Sequence, residues 1–177
     1  MTDFPTKTAL WPSNIYCFKN ESHLSLENEL LTHVYDLKSR STVSGISSSV
    51  KKNLFEESLM TVVKDVNGYD DSYMSQLYPD IRESWAHVTN NNGYHDAHKH
   101  LNTSWVGIYY LQSGECGEAP DDDGIERMNG TNRFYSPIQY FCLDPSMQYL
   151  RHDATDICPE DGVLVIFPAY LLHSATP

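Results

Sequence analysis

Residues 104–111 read SWVGIYYL, and residues 162–168 read GVLVIFP. Both runs are rich in β-branched and aromatic side chains, and Gly, Asn, Asp and Pro clusters separate them from their neighbours. That composition suits pleated strands rather than helices. SWAHVT at 84–89 and NRFYSPIQYF at 132–141 share the texture. Several short strands at this spacing imply a β-sandwich or barrel over residues 82–177. Within SWVGIYYL, two-residue alternation puts Ser104, Val106, Ile108 and Tyr110 on one face and Tyr109 on the other.

Residues 1–81 read differently, as a mostly helical segment that supports the β half. Residues 14–19 (NIYCFK) form a short strand. Over 25–37, Leu26, Leu30, Val34 and Leu37 recur at spacings of three and four, and Ser22 or Ser25 can cap the start. The serine-rich stretch 39–49 reads as a loop. A second helix is expected over 54–66, with Leu54, Phe55, Leu59, Val62 and Val63 on its apolar side and Gly68 as its stop. A third, short helix over 71–77 is closed by Pro79. These helices should cover one outer face of the sheet. Residues 114–130 (GECGEAPDDDGIERMNG) are acidic and turn-rich and read as a long surface loop. No internal repeat or linker interrupts the chain, so a single domain is expected over 1–177.

The 177 residues are 40% hydrophobic and 12% aromatic, enough for one folded domain with a core of its own. The formal net charge of -12 argues against a nucleic-acid partner, because phosphate binding needs a basic surface. Cys17, Cys116, Cys142 and Cys158 show no CxxC pairing. They are expected to be reduced, mostly buried thiols rather than a disulfide framework or a thiolate zinc site. MTDFPTKTALWP at the N-terminus lacks the apolar run of a signal peptide. No stretch approaches the ~20 apolar residues of a membrane span. A reducing cytoplasm is the expected setting.

Three of the eight histidines, His95, His98 and His100, stand together in GYHDAHKH, and His173 follows an apolar strand and FPAYLL. On a strand, His98 and His100 would project side by side. Imidazole suits Fe, Zn, Cu and Ni. A third ligand must come from a distant strand, and His173 is the best-placed candidate. Surface histidines are common, so spacing alone leaves metal binding and a solvated loop equally open. The order of parts favours a metal: HxH, a strand, a glycine-bearing turn, then an apolar strand ending in histidine. Non-haem iron oxygenases use three facial ligands, usually two histidines and a carboxylate. Here His100 holds the middle position, and Asp96 precedes His98 without making an HxD. Three neutral ligands leave such a site more positive by one charge. His95 is either a hydrogen-bond partner of the ligands or an exposed loop histidine. His23, His33, His87 and His152 have no partner in sequence and read as structural or solvated.

ESWAHVTNNNGYHDAHKHLNTSWVGIYYLQSGECG, followed later by PEDGVLVIFPAYLLHSATP, resembles 2-oxoglutarate/Fe(II) oxygenases of bacteria and of phages of marine bacteria, relatives of the prolyl-hydroxylase-like enzymes. The resemblance covers residues 82–177 well and FPTKTALWPSNIYCFK more loosely. It implies a double-stranded β-helix, a jelly roll whose mouth holds iron. It implies His98, His100 and His173 as the metal positions. Tyr110 matches a tyrosine that hydrogen-bonds the distal carboxylate of 2-oxoglutarate in related hydroxylases; a packed core aromatic is the other reading. The implied cofactors are Fe(II) and 2-oxoglutarate. The implied activity couples oxidative decarboxylation of 2-oxoglutarate by O2 to hydroxylation of a small molecule or a protein side chain. That chemistry belongs to the cofactor and needs no general base. No catalytic residue beyond the metal ligands is expected, in keeping with the lack of any Ser/His/Asp or paired-carboxylate signature.

The sequence departs from the family in one place. The family carries an arginine on the strand after the last metal histidine, where its guanidinium meets the distal carboxylate of 2-oxoglutarate. Here the sequence stops at Pro177, shortly after His173. The expectation is a truncated chain that lacks the last jelly-roll strand, the alternative being a shortened form that binds differently or not at all; residues 1–177 are expected to bind 2-oxoglutarate weakly. Arg133 and Arg151 are substitutes in principle. Two other functions compete: a cupin-like enzyme with a three-histidine metal site, although the glutamate expected after the HxH is absent, and a non-catalytic jelly-roll module that binds or builds.

Overall fold

The strand Val163–Pro168 is the centre of a three-stranded antiparallel sheet, with Tyr16–Lys19 on one side and Trp105–Tyr109 on the other. The computed structural model describes residues 13–39, 55–88, 93–119, 127–137 and 154–177. In chain order the elements are β1 (Tyr16–Lys19), α1 (His23–Ser39), α2 (Glu57–Asn67), α3 (Asp71–Met74), β2 (His95–His98), β3 (Trp105–Tyr109), β4 (Gly117–Ala119), β5 (Arg127–Asn129), β6 (Asn132–Tyr135), β7 (Ala154–Ile157), β8 (Val163–Pro168) and β9 (His173–Ala175). A second, four-stranded sheet has the order β2-β9-β6-β7, and β4 pairs with β5. Every pairing is antiparallel. The molecule is mainly β, as expected, and its two larger sheets pack as in a β-sandwich or jelly roll. No helix among the described residues is long and apolar enough to cross a membrane.

Strand alternation divides the core in two. Val106, Ile108 and Tyr110 from β3 and its exit meet Val165 and Phe167 of β8, Phe134 of β6 and Leu171. This is the layer between the sheets, and Phe134 meets Phe167 edge-on at 4.8 Å between ring centroids. Trp105 and Tyr109 face the other way, with Leu164 and Ile166 of β8, and pack on Val62, Leu59 and Phe55. The expected faces of SWVGIYYL are therefore the observed ones, and α2 covers the outer face of the sheet. Val62 is fully buried there. Gly107 belongs to the same face: a Cβ on it would stand 1.9 Å from the Phe55 ring. Beyond Tyr109 the ladder continues, since Tyr110 N–H donates to Val163 O and Gly162 N–H to Tyr110 O.

The helices begin and end on local signals. Gly68 takes φ 64 and donates its N–H to Lys64 O, closing α2 as its sequence position predicts. The Asp70 carboxylate accepts from Tyr73 N–H and starts α3, which is shorter than the expected 71–77. Helix α1 extends past the expected 25–37 at both ends. Its first residue, His23, is buried, bonds Tyr109 OH through Nδ1, and lies over Gly162, whose φ of 79 admits no ordinary side chain.

Three expectations are corrected. SWAHVT is irregular over 84–88, with residues 85–88 exposed and no ladder formed there. Within 114–130 a short hairpin replaces the pure loop: β4 pairs β5 in the register Gly117↔Asn129 to Ala119↔Arg127. The cysteines are not all reduced and buried. Cys116, just before β4, is bonded to Cys158, just after β7, with Cα atoms 5.8 Å apart, a separation suited to the bond. The two are distant in sequence, so spacing gave no hint. Cys17 is free but exposed. The thiols therefore lend no support to a reducing compartment. The loop expected at 39–49, Leu54, His152, Arg151 and Cys142 lie outside the described residues, apart from Ser39 at the end of α1.

Candidate metal centre

Strands β2 and β9 pair so that His98 stands opposite His173. The strand β2 ends at His98, so His100 is not the next outward step of a ladder, as its spacing suggested. It lies in the following turn, where its N–H donates to Ala169 O at the end of β8. Asn102, at φ 64, then turns the chain toward β3, a left-handed conformation that Asn tolerates. The outcome is still convergence. One ligand atom from each of His98, His100 and His173 lies within 4.8 Å of the others, and the three could hold a metal ion. Their ring centroids are 4.3 Å apart for His98–His173, 5.0 Å for His98–His100 and 5.2 Å for His100–His173.

Two of the three imidazoles have their protons assigned by the backbone. His98 Nδ1 lies 2.7 Å from Asp96 O, and His173 Nδ1 lies 3.0 Å from Leu171 O. A carbonyl only accepts, so each Nδ1 carries the hydrogen and each Nε2 keeps a free lone pair. Such a carbonyl bond is the usual partner of a metal-binding histidine. Packing holds His173 further: Phe167 meets it edge-on at 4.7 Å and Phe134 stacks at 5.9 Å. Trp85, half exposed, lies 5.7 Å from the His100 ring.

Electrostatics favour the neutral form of two of these rings, His173 and His100. Burial pushes the His173 imidazole down to about 4; its bond to Leu171 O acts the other way, and His98, His100 and His95 add to the fall. Burial also lowers His100, helped by His98 and His95 and opposed by Glu83. Neutral imidazole is the form that binds metals. A nitrogen-only set of this kind suits a divalent transition-metal ion and not the hard cations that prefer oxygen. Among the described residues no carboxylate joins the cluster.

Tyr110 points into the layer between the sheets and is buried. Its hydroxyl donates to Asn132 Oδ1 at 2.7 Å, and burial raises its pKa far above the ordinary range, so it stays protonated. Sequence reading missed Asn132, whose only signal is its alternation with Phe134 on β6. Arg133, one residue on, faces away from Phe134 and makes a bidentate pair with Asp156, 2.8 Å at each contact. That pairing occupies one of the two arginines considered as substitutes. His95 stands on β2, exposed, with its ring 4.1 Å from that of His98. His23 is structural, as expected.

A β-sandwich with three histidines gathered from β2, the turn after it and β9 defines a candidate metalloprotein. Residues 83–177, more than half of the chain, match the family model described as "Putative 2OG-Fe(II) oxygenase". The protein belongs to that family, whose cofactors are Fe(II) and 2-oxoglutarate, and all three histidines lie in the matched region. No curated protein matches the chain.

Proposed function

We propose that the protein is an oxygenase that uses Fe(II) and 2-oxoglutarate to hydroxylate a small molecule or a protein side chain, with His98, His100 and His173 as its metal ligands. The convergence of the three imidazoles, two with Nδ1 tied to carbonyls of their own segments, carries the reading. When bound, Fe(II) and 2-oxoglutarate supply oxidation by O2. The chain's share is positional. Asp96 O and Leu171 O orient His98 and His173 toward the ion, and Phe134 and Phe167 shield His173 from water. Tyr110, permanently protonated, is the proposed donor to the distal carboxylate of 2-oxoglutarate, and Asn132 holds its hydroxyl meanwhile. We read the two sheets as one double-stranded β-helix domain: β2 pairs β9 and β3 pairs β8, a nested order like that of a long hairpin rolled on itself.

A second reading has its own support. A nitrogen-only set without a carboxylate also fits a cupin-like metalloenzyme. Anaerobic addition of Fe(II) and then 2-oxoglutarate separates the two. The oxygenase shows a weak visible charge-transfer band, which His98→Ala abolishes. Metal binding without any band supports the cupin-like reading. Failure to bind metal removes both and leaves a non-catalytic module.

A further inference from the structure

The row of imidazoles continues outward from the triad. The His95 ring lies 4.1 Å from His98, and the His87 ring lies 5.1 Å from His95. Exposure rises along the row: His173 is buried, His98 partly so, and His95 and His87 are exposed. In a regular strand His95 would not belong here, because residues three apart face opposite sides. The register shift between His95 and His98 changes this. With His98 opposite His173 and His95 opposite Ala175, both face the same side, since 173 and 175 share a face of β9. The irregularity thus turns His95 onto the triad's face, and the irregular segment 84–88 brings His87 against it. Neither ring has a hydrogen-bond partner among the described residues, unlike His98 and His173, whose Nδ1 atoms are engaged. Both outer rings are free to turn a nitrogen toward an ion.

We propose that His87 and His95 form a second, outer site for a divalent transition-metal ion, from which the ion passes to His98, His100 and His173. This rests on the inner site proposed above. The passage is an exchange of imidazole ligands along neighbouring rings, with no change of oxidation state. Two exposed histidines leave most coordination positions to water, so the outer site is the weaker one.

Co2+ titrated into the full chain tests this, read by calorimetry and by the visible absorption of the bound ion. Two classes of site are expected. The double variant His87→Ala/His95→Ala should lose the weaker class, keep the tighter one and fill it more slowly. Both side chains are exposed, so the fold should tolerate the change. His173→Ala should lose the tighter class and keep the weaker. A single class in the unaltered protein, or a double variant that binds like it, overturns the outer site. An unchanged filling rate in the double variant overturns the hand-over. If His173→Ala keeps both classes, the inner assignment fails, while loss of the weaker class in the double variant still upholds the outer one.

Discussion

His173 shows how one side chain serves both the fold and the site. It is 3% exposed and titrates at about 4, whereas an unfolded histidine titrates near 6.5. Between those values the unfolded chain binds more protons than the native one. Stability in the metal-free protein therefore rises with pH across the window and is lost as pH falls from about 6.5 toward 4. His100 shifts in the same direction. Asp156, held down by its bond to Arg133, acts lower: its stabilising share fades as pH drops below the ordinary Asp value of about 3.9. Urea unfolding at pH 7 and pH 4.5 should differ by about 2–3 kcal/mol. His173→Leu should flatten much of that difference; an equally steep profile in the variant would refute the account. His98 and His100 were legible as a local HxH pattern, whereas His173 drew its place mainly from the family resemblance, since its partners lie far away in sequence. Asn132 was not, since its bond to Tyr110 spans the two sheets and leaves no mark in either segment.

Among the elements, β3 was the most legible, because a period of two declares its faces without knowledge of its neighbours. What a neighbour demands is another matter. Nothing in the sequence says why a glycine stands at 107; in the structure the ring of Phe55 fills the space a side chain would take. Gly107→Ala should cost about 1–3 kcal/mol by overpacking, and Phe55→Leu in the same chain should recover part of it. Denaturant midpoints measure both; additive losses would show that Phe55 is not the obstacle. Strand β2 misled in a different way. A two-residue step seemed to place His100 beside His98, but β2 stops at His98 and a bond to Ala169 O places His100 instead. Residues 84–88 have strand composition without a ladder partner among the described residues, and composition cannot supply one.

At the scale of the molecule, the Cys116–Cys158 bond ties the β4–β5 hairpin to the end of β7 across a separation of 42 residues. A bridge closing such a loop stabilises by about 2–4 kcal/mol, chiefly by restricting the unfolded chain. Cys116→Ser/Cys158→Ser should lower the thermal midpoint accordingly, and a reductant should do the same to the unaltered protein but not to the variant. An unshifted midpoint in both would mean the bridge contributes nothing. The bond was invisible in sequence because neither cysteine has a local partner. The nesting of β2–β9 around β3–β8 carries a kinetic consequence. Distant pairings form late, after much of the loop entropy has been spent. His98 and His173 meet across one of these pairings, so the joint grip on an ion proposed for them would exist only in a nearly finished chain. An ion held there would act as a latch rather than a nucleus, slowing escape from the native state and leaving the speed of reaching it almost unchanged.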